Sequence, residues 1–227
     1  MKNLVLALDL PDASAALAMA ERLRGIVPWM KVGLEVFTAA GPTLVRELKA
    51  MGFKVFLDLK FHDIPNTVKG AARSAARLGV DLATLHHAGG ERMARAALEG
   101  VVEGGGGTML FAITVLTSQT PAEAGLREEE VPLAVARKAM EAQQWGLAGV
   151  VCSGQEAAAV KATVKPGFLC LCPGIRLCDE AAGDDQRRVM TPAKALAAGA
   201  DFLVVGRPIL AAPDPVVAAR EVLAAMG

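Results

Sequence analysis

This sequence of 227 residues lacks an excess of charge of either sign. It carries 24 Lys and Arg residues against 24 Asp and Glu residues, so its formal net charge is zero. No window combines a run of basic residues with interleaved aromatics, which make up only 4% of the chain. Proteins that bind nucleic acid or an anionic membrane surface need such a basic patch. The composition therefore argues against either one as the main partner.

Long apolar runs are also missing, although 53% of the residues are hydrophobic. No window reaches the roughly 18 consecutive apolar residues that are typical of a transmembrane helix. The N-terminal run LVLALD is too short for the apolar region of a signal peptide, and it predicts a first β-strand instead. These patterns favour a cytoplasmic protein without a membrane segment.

Motifs that bind metals or cofactors are missing as well. The spacing of the four cysteines matches no CxxC zinc pattern, and we interpret them as reduced, mostly buried thiols. They are Cys152, Cys170, Cys172 and Cys178. The adjacent His86 and His87 would face opposite sides of a strand, so they cannot both bind one ion. No Gly-x-Gly-x-x-Gly follows the first predicted strand, and the sequence therefore supports neither a metal site nor a dinucleotide site.

Short β-type runs alternate with Ala- and Leu-rich helical stretches from one end of the chain to the other. Eight strands are predicted, at residues 4–9, 29–33, 53–60, 82–87, 108–115, 149–153, 168–172 and 201–206. Several intervening helices end in Gly just before the next strand, as a left-handed C-terminal cap requires. Eight strand–helix units without a break in composition predict one α/β domain over residues 1–227, a (βα)₈ TIM barrel. An open, doubly wound sheet is the alternative.

Charged residues stand at the C-terminal ends of the predicted strands. In a parallel barrel these ends surround one mouth, where active sites are built. The segment FLDLKFHDIPNTV brings Asp58 and Lys60 to this mouth, and alternate side chains of a strand point the same way. Asp9 ends strand one, and Lys31 lies on strand two. Because burying charge is costly, two acids and two bases at one depth predict a catalytic array rather than a structural ion pair.

The loops after strands seven and eight predict a phosphate site. They read PGIR at 173–176 and GRPI at 206–209, and each pairs a Gly for close backbone approach with an Arg. Barrels often bind phosphate with these two loops. Gln186, in the long loop after strand seven, adds an amide that could fold over the anion. Arg207 taken alone could instead be an exposed residue at a helix start.

In this order, the motifs resemble the orotidine 5′-phosphate decarboxylase family over nearly the whole chain. The D-x-K-x-x-D element within DLKFHDIPNT is the most specific of them. The others are ALD, KVG, HAGG, TVLTS, PGIR, GDDQRR, MTPAKAL and GRPI. The resemblance implies a (βα)₈ homodimer that converts orotidine 5′-monophosphate to UMP and CO₂ in de novo pyrimidine biosynthesis, with no cofactor and no metal.

The resemblance also implies roles for single residues. Lys60 would donate a proton to C6 of the pyrimidine, with Asp58 beside the departing carboxylate. Lys31 would bind Asp58 and the ribose, and Asp9 would bind a ribose hydroxyl. The family's pattern sends two residues into the neighbouring subunit's site, here Asp63 and Thr67. Contacts to the base and the phosphate would come from Thr117, Arg176, Gln186, Gly206 and Arg207.

Two other functions fit parts of the same pattern. Sibling barrels that are Mg²⁺-dependent sugar-phosphate decarboxylases or synthases resemble the D-x-K-x-x-D signature, but they typically carry an acid where this chain has Lys31. A non-catalytic barrel that binds a phosphate ligand would be expected to lack Asp58 or Lys60. Because all three residues are present, the sequence favours the cofactor-free decarboxylase.

Overall fold

The eight apolar runs form eight parallel strands that close into a barrel. The fold comes from a computed structural model that describes residues 3–177 and 188–227. Each strand pairs with the next along the chain, and the last pairs with the first, with Val5 opposite Val204. The strands are β1 Leu4–Ala7, β2 Trp29–Gly33, β3 Lys54–Phe61, β4 Leu82–His86, β5 Met109–Ile113, β6 Gly149–Val151, β7 Leu169–Cys172 and β8 Phe202–Val205. The predicted (βα)₈ barrel is confirmed.

Helices surround the barrel and connect its strands. Asp12, Ser153 and Asp214 each accept a backbone N–H from the first turn of the helix that follows, as N-terminal caps do. The predicted Gly stops are confirmed, because the glycines at 25, 52, 79, 146 and 199 all have positive φ. The α-helices in the described ranges are α1 Ala13–Arg22, α2 Leu34–Ala50, α3 Pro65–Arg77, α4 Gly90–Glu103, α5 Val131–Gln144, α6 Gly154–Thr163, α7 Pro192–Ala197, α8 Arg207–Leu210 and α9 Pro215–Ala225. In those ranges no helix is long and apolar enough to cross a bilayer.

A large hydrophobic layer lies between the strands and the helices. It contains Cys152, Cys170 and Cys172, which are free and buried, as predicted. A hydrogen bond with the Cys152 thiol, and then burial, raise the pKa of Cys170 above its ordinary value. The Cys170 thiol is therefore protonated and unreactive at neutral pH. Cys178 lies outside the described residues.

A second hydrophobic cluster fills the inside of the barrel. Trp29 and Phe111 both meet the ring of Phe202 edge to face, with centroids 5.2 Å and 6.1 Å away. Since alternate residues of a strand face inward, the next inward position after Trp29 is Lys31, and the next after Phe56 is Asp58. The barrel interior is thus a floor of aromatic rings with charged side chains directly above it.

Candidate active site

A cavity of about 510 Å³ opens at the C-terminal ends of the strands, a volume suited to a small-molecule ligand. Its apolar wall includes Ile113, Val151, Leu171 and Val204. The cavity brings together eight residues that the sequence predicts for the site. They are Asp9, Lys31, Asp58, Lys60, Thr117, Arg176, Gly206 and Arg207.

Four of these residues form a chain of alternating charges. Lys31 Nζ lies 2.8 Å from Asp9 Oδ1 and 3.8 Å from Asp58 Oδ2. Lys60 Nζ lies 2.8 Å from the same Asp58 oxygen. The side chains of Lys31 and Asp58 are each only 11% exposed, whereas that of Lys60 is 29% exposed. Lys60 is therefore the ammonium group of the array that is more open to a ligand in the cavity.

The backbone at Lys60 departs from a regular strand. Its φ is +50°, and within the described residues it is the only non-glycine residue with a positive φ. The pairing of β3 with β4 also shifts register between Leu57 and Phe61. The left-handed conformation costs an L-residue about 1–2 kcal/mol. Asp58 and Lys60 both line the cavity, as predicted, but strand alternation alone does not explain how Lys60 is placed there.

Gly33 provides the space that the Lys31–Asp9 pair occupies. A Cβ atom at this position would lie 2.8 Å from Lys31 Nζ and 3.1 Å from Asp9 Oδ1. The backbone of Gly33, at φ −91° and ψ −177°, is extended and open to any residue. An alanine here would therefore displace the end of the Lys31 side chain without straining the main chain.

We expect Gly33→Ala to lower kcat/KM by about 10²-fold, since small displacements of catalytic groups have effects of that size. Thermal unfolding should change little, because the crowded atoms belong to the flexible end of a side chain. Gly70→Ala is the matched control, since a Cβ at Gly70 meets nothing within 4 Å. Steady-state kinetics of the two variants check this, and wild-type kcat/KM in Gly33→Ala would contradict it.

Arg176 and Arg207 line a second part of the cavity. Burial and then the positive charge of Arg207 lower the pKa of Arg176. Two guanidinium groups close enough to affect each other form a favourable site for a doubly charged anion. Gly206 stands directly before the short helix α8 and also lines the cavity. Gln186, the predicted fourth contact to the phosphate, lies outside the described residues.

Asp63 and Thr67 are not among the residues that line this cavity. Both are exposed, at the start of α3, and Asp63 Oδ1 accepts the N–H of Ile64 at 2.7 Å. Ile64, between them, is 68% exposed. The structure therefore separates these two predicted site residues from the cavity of their own chain.

A buried ion pair beside the cavity was not predicted from the sequence. Arg188 Nη1 lies 2.6 Å from Glu156 Oε1, and Nη2 donates to the carbonyl of Leu116 at 3.0 Å. Burial raises the pKa of Glu156, and the charge of Arg188 opposes that rise. The pair thus ties α6 to the segment that carries Thr117. The S-x-x-E capping box that begins at Ser153 was a local signal for Glu156, but no local pattern indicates its distant partner.

The two adjacent histidines have different neighbours, but not through strand alternation, because β4 ends at His86 and His87 begins a short 3₁₀ helix. The ring of His86 lies 5.3 Å from that of His62, whereas His87 stacks on Trp145 at 4.6 Å. Burial, then the nearby His62 and Lys60, lower the pKa of His86. Across residues 3–177 and 188–227, no three His, Cys, Asp or Glu side chains are grouped to hold a metal ion.

Known proteins are similar to this chain in both sequence and fold. The family model described as "Orotidine 5'-phosphate decarboxylase / HUMPS family" matches residues 2–222. An orotidine 5′-phosphate decarboxylase of Nitratidesulfovibrio vulgaris strain DP4 is 56% identical over 230 residues, covering 100% of this chain and 98% of the relative. One from Maridesulfovibrio salexigens is 52% identical over 237 residues, covering 100% of this chain and 99% of the relative.

A solved structure agrees with these relatives. The crystal structure of an orotidine 5′-phosphate decarboxylase from Lactobacillus acidophilus matches with a TM-score of 0.86 and 33% sequence identity. The match covers 100% of this chain and 100% of that one. The similarity therefore extends over the whole barrel.

Proposed function

This chain belongs to the orotidine 5′-phosphate decarboxylase / HUMPS family, and we propose that its charged cavity removes CO₂ from orotidine 5′-monophosphate without a metal or cofactor. Its full-length relatives are named orotidine 5′-phosphate decarboxylase, which supports the same reaction, with UMP as the product, for this chain. The residue roles below are our proposal. The observation that carries them is the alternating array of Asp9, Lys31, Asp58 and Lys60 in one cavity.

Lys60 is the group that stabilises the transition state. When the bond from C6 to the carboxylate breaks, its electron pair stays on C6 in an sp² orbital that the ring cannot easily delocalise. An ammonium group already fixed beside that carbon stabilises the developing charge without reorganising during the reaction. Lys60 then gives one proton to C6, and solvent returns a proton to its amine. The balance is substrate plus one proton giving UMP and CO₂.

Asp58 acts on the carboxylate end of the bond that breaks. Its carboxylate is held by Lys60 and Lys31, so it cannot easily move away from a bound substrate. Two like charges about 4 Å apart repel by roughly 4 kcal/mol at an intermediate dielectric. A substrate carboxylate beside Asp58 is subject to this repulsion, which disappears as neutral CO₂ leaves. The residue thereby favours the transition state over the bound substrate.

The remaining cavity residues bind the parts of the substrate that do not react. The phosphate is held by Arg176, Arg207 and the backbone at Gly206. We assign the same role to Gln186, which lies outside the described residues. Asp9 and Lys31 bind the ribose, and Thr117 contacts the base. Binding energy from the distant phosphate orients C6 against Lys60, and this use of binding energy raises kcat.

The active unit in this proposal is a homodimer in the cytoplasm. The exposed Asp63 and Thr67, with the exposed apolar Ile64 between them, reach the cavity of the second subunit. A side chain such as Ile64 loses its contact with water when it packs against a partner, which favours association. The three free thiols of the core fit a reducing compartment.

We expect purified protein to keep its full rate of decarboxylation in excess EDTA. The ammonium of Lys31, 2.8 Å from Asp9 and 3.8 Å from Asp58, already occupies the place beside these carboxylates that a divalent cation would need. The loss of orotidine 5′-monophosphate is followed by its ultraviolet absorbance, with and without the chelator. Loss of activity that added Mg²⁺ restores would contradict the metal-free mechanism, and binding of UMP without turnover would favour a binding barrel.

A further inference from the structure

Thr84 is a buried polar residue inside the barrel, and it does not line the cavity. It lies on β4 two positions after Leu82, which belongs to the apolar floor, and its exposure is 0%. Strand alternation therefore turns its side chain inward, at the level of the charge array on β3. Valine has nearly the same shape and would fill this position without a polar atom to satisfy.

The single hydroxyl of Thr84 makes two hydrogen bonds to the array. It donates to Asp58 Oδ1 at 2.9 Å and accepts the backbone N–H of Lys60 at 3.1 Å. The other oxygen of Asp58 accepts from Lys60 Nζ at 2.8 Å. Asp58 is thus held through both of its oxygens, and Lys60 is held at both its main chain and its side-chain end.

These contacts coincide with the irregular part of the barrel. The regular pairing of β3 with β4 is interrupted between Leu57 and Phe61, and Lys60 has its φ of +50° inside that interval. A left-handed non-glycine residue persists only where its surroundings fix it. The Thr84 hydroxyl accepts the Lys60 N–H at this point, and an N–H that is buried without an acceptor destabilises the fold.

We propose that Thr84 is a positioning residue, which fixes the strained backbone of Lys60 and the carboxylate of Asp58 in the arrangement that decarboxylation requires. The proposal rests on the function proposed above, because it concerns the same two residues. Thr84 acts only through them and contacts no substrate. A hydroxyl suits this task because it can donate to a carboxylate while it accepts from an amide.

The test compares two substitutions at this position. Thr84→Val removes the hydroxyl and keeps the shape, and we expect kcat to fall by about 10²-fold. KM and the affinity for UMP should stay within about threefold, because the residues that hold phosphate and ribose are untouched. Thr84→Ser keeps the hydroxyl and should recover most of the lost kcat. A role in packing alone would give the opposite order, since serine loses the methyl group that valine retains.

Thr108→Val is the matched control, because Thr108 is also buried and its hydroxyl donates to the Val80 carbonyl, away from the cavity. It should leave kcat unchanged even if it lowers thermal stability. If Thr84→Val does not fold, Thr84→Ala provides the same loss of the hydroxyl without added volume. Wild-type kcat in a folded variant without the hydroxyl, or a lost kcat in Thr84→Ser, would overturn the proposal. A wild-type protein without decarboxylase activity would instead overturn the proposed function.

Discussion

Lys60→Ala is expected to abolish measurable decarboxylation while UMP still binds. The substitution removes both the charge that stabilises the C6 anion and the proton that quenches it, so kcat should fall by at least about 10⁴-fold. Alanine is no more strained than lysine at φ +50°, so the loss reports the ammonium group rather than the backbone. Single-turnover kinetics measure the lost rate, and calorimetric titration with UMP measures the retained binding.

Lys54→Ala is the matched control for this prediction. Lys54 begins the same strand at the opposite end of the barrel, where its ammonium lies 5.3 Å from the centre of the Trp29 ring. Its removal eliminates a charge of the same type on β3 without affecting the cavity, and kcat should stay at the wild-type value. Turnover near the wild-type rate in Lys60→Ala would remove Lys60 from the mechanism.

Mixing two inactive variants, Asp63→Ala and Lys60→Ala, is expected to restore activity. If Asp63 serves the neighbouring subunit, each mixed dimer has one site with both residues intact and one site with neither. Random exchange at equal concentrations makes half of the dimers mixed, so about one quarter of all sites become native. The specific activity of the mixture should therefore approach about one quarter of the wild-type value.

The control mixture pairs Lys60→Ala with Asp58→Ala. Both of these residues line the cavity of their own chain, so no mixed dimer contains an intact site, and activity should stay absent. Differently tagged chains, captured together, establish that the subunits have exchanged in both mixtures. Recovery in the control, or none in the Asp63 mixture after exchange, would contradict the shared site.

The barrel could be predicted because its signals are local. An apolar run, a helical stretch and a terminal Gly each act within a few residues, and eight repeats of this unit leave few ways to close the sheet. The second predicted strand agrees with β2 at Trp29–Gly33, whereas the first extends two residues beyond β1. The ends of the strands are harder to predict, because the polar residues there leave the hydrogen-bonded ladder and face the cavity.

Part of the site could be predicted for a related reason. Once a parallel barrel closes, residues at the C-terminal strand ends surround one mouth whatever their distance in sequence. This geometry brings Asp9, Lys31 and Asp58 together. The left-handed backbone of Lys60 and the contact of its N–H with Thr84 could not be predicted, because they depend on how two strands lose register. The inward position of Thr84, two residues after Leu82, was the available signal.

The stacked arrangement inside the barrel has a consequence for how this protein tolerates change. The aromatic rings inside the barrel contribute to its stability, and the charged side chains above them carry the chemistry. Stability and activity therefore depend on different positions along the same strands. Catalytically dead versions of this enzyme should therefore remain well-folded proteins. Over evolutionary time, the positions of the charged side chains can acquire a new chemistry while the aromatic layer beneath them stays unaltered.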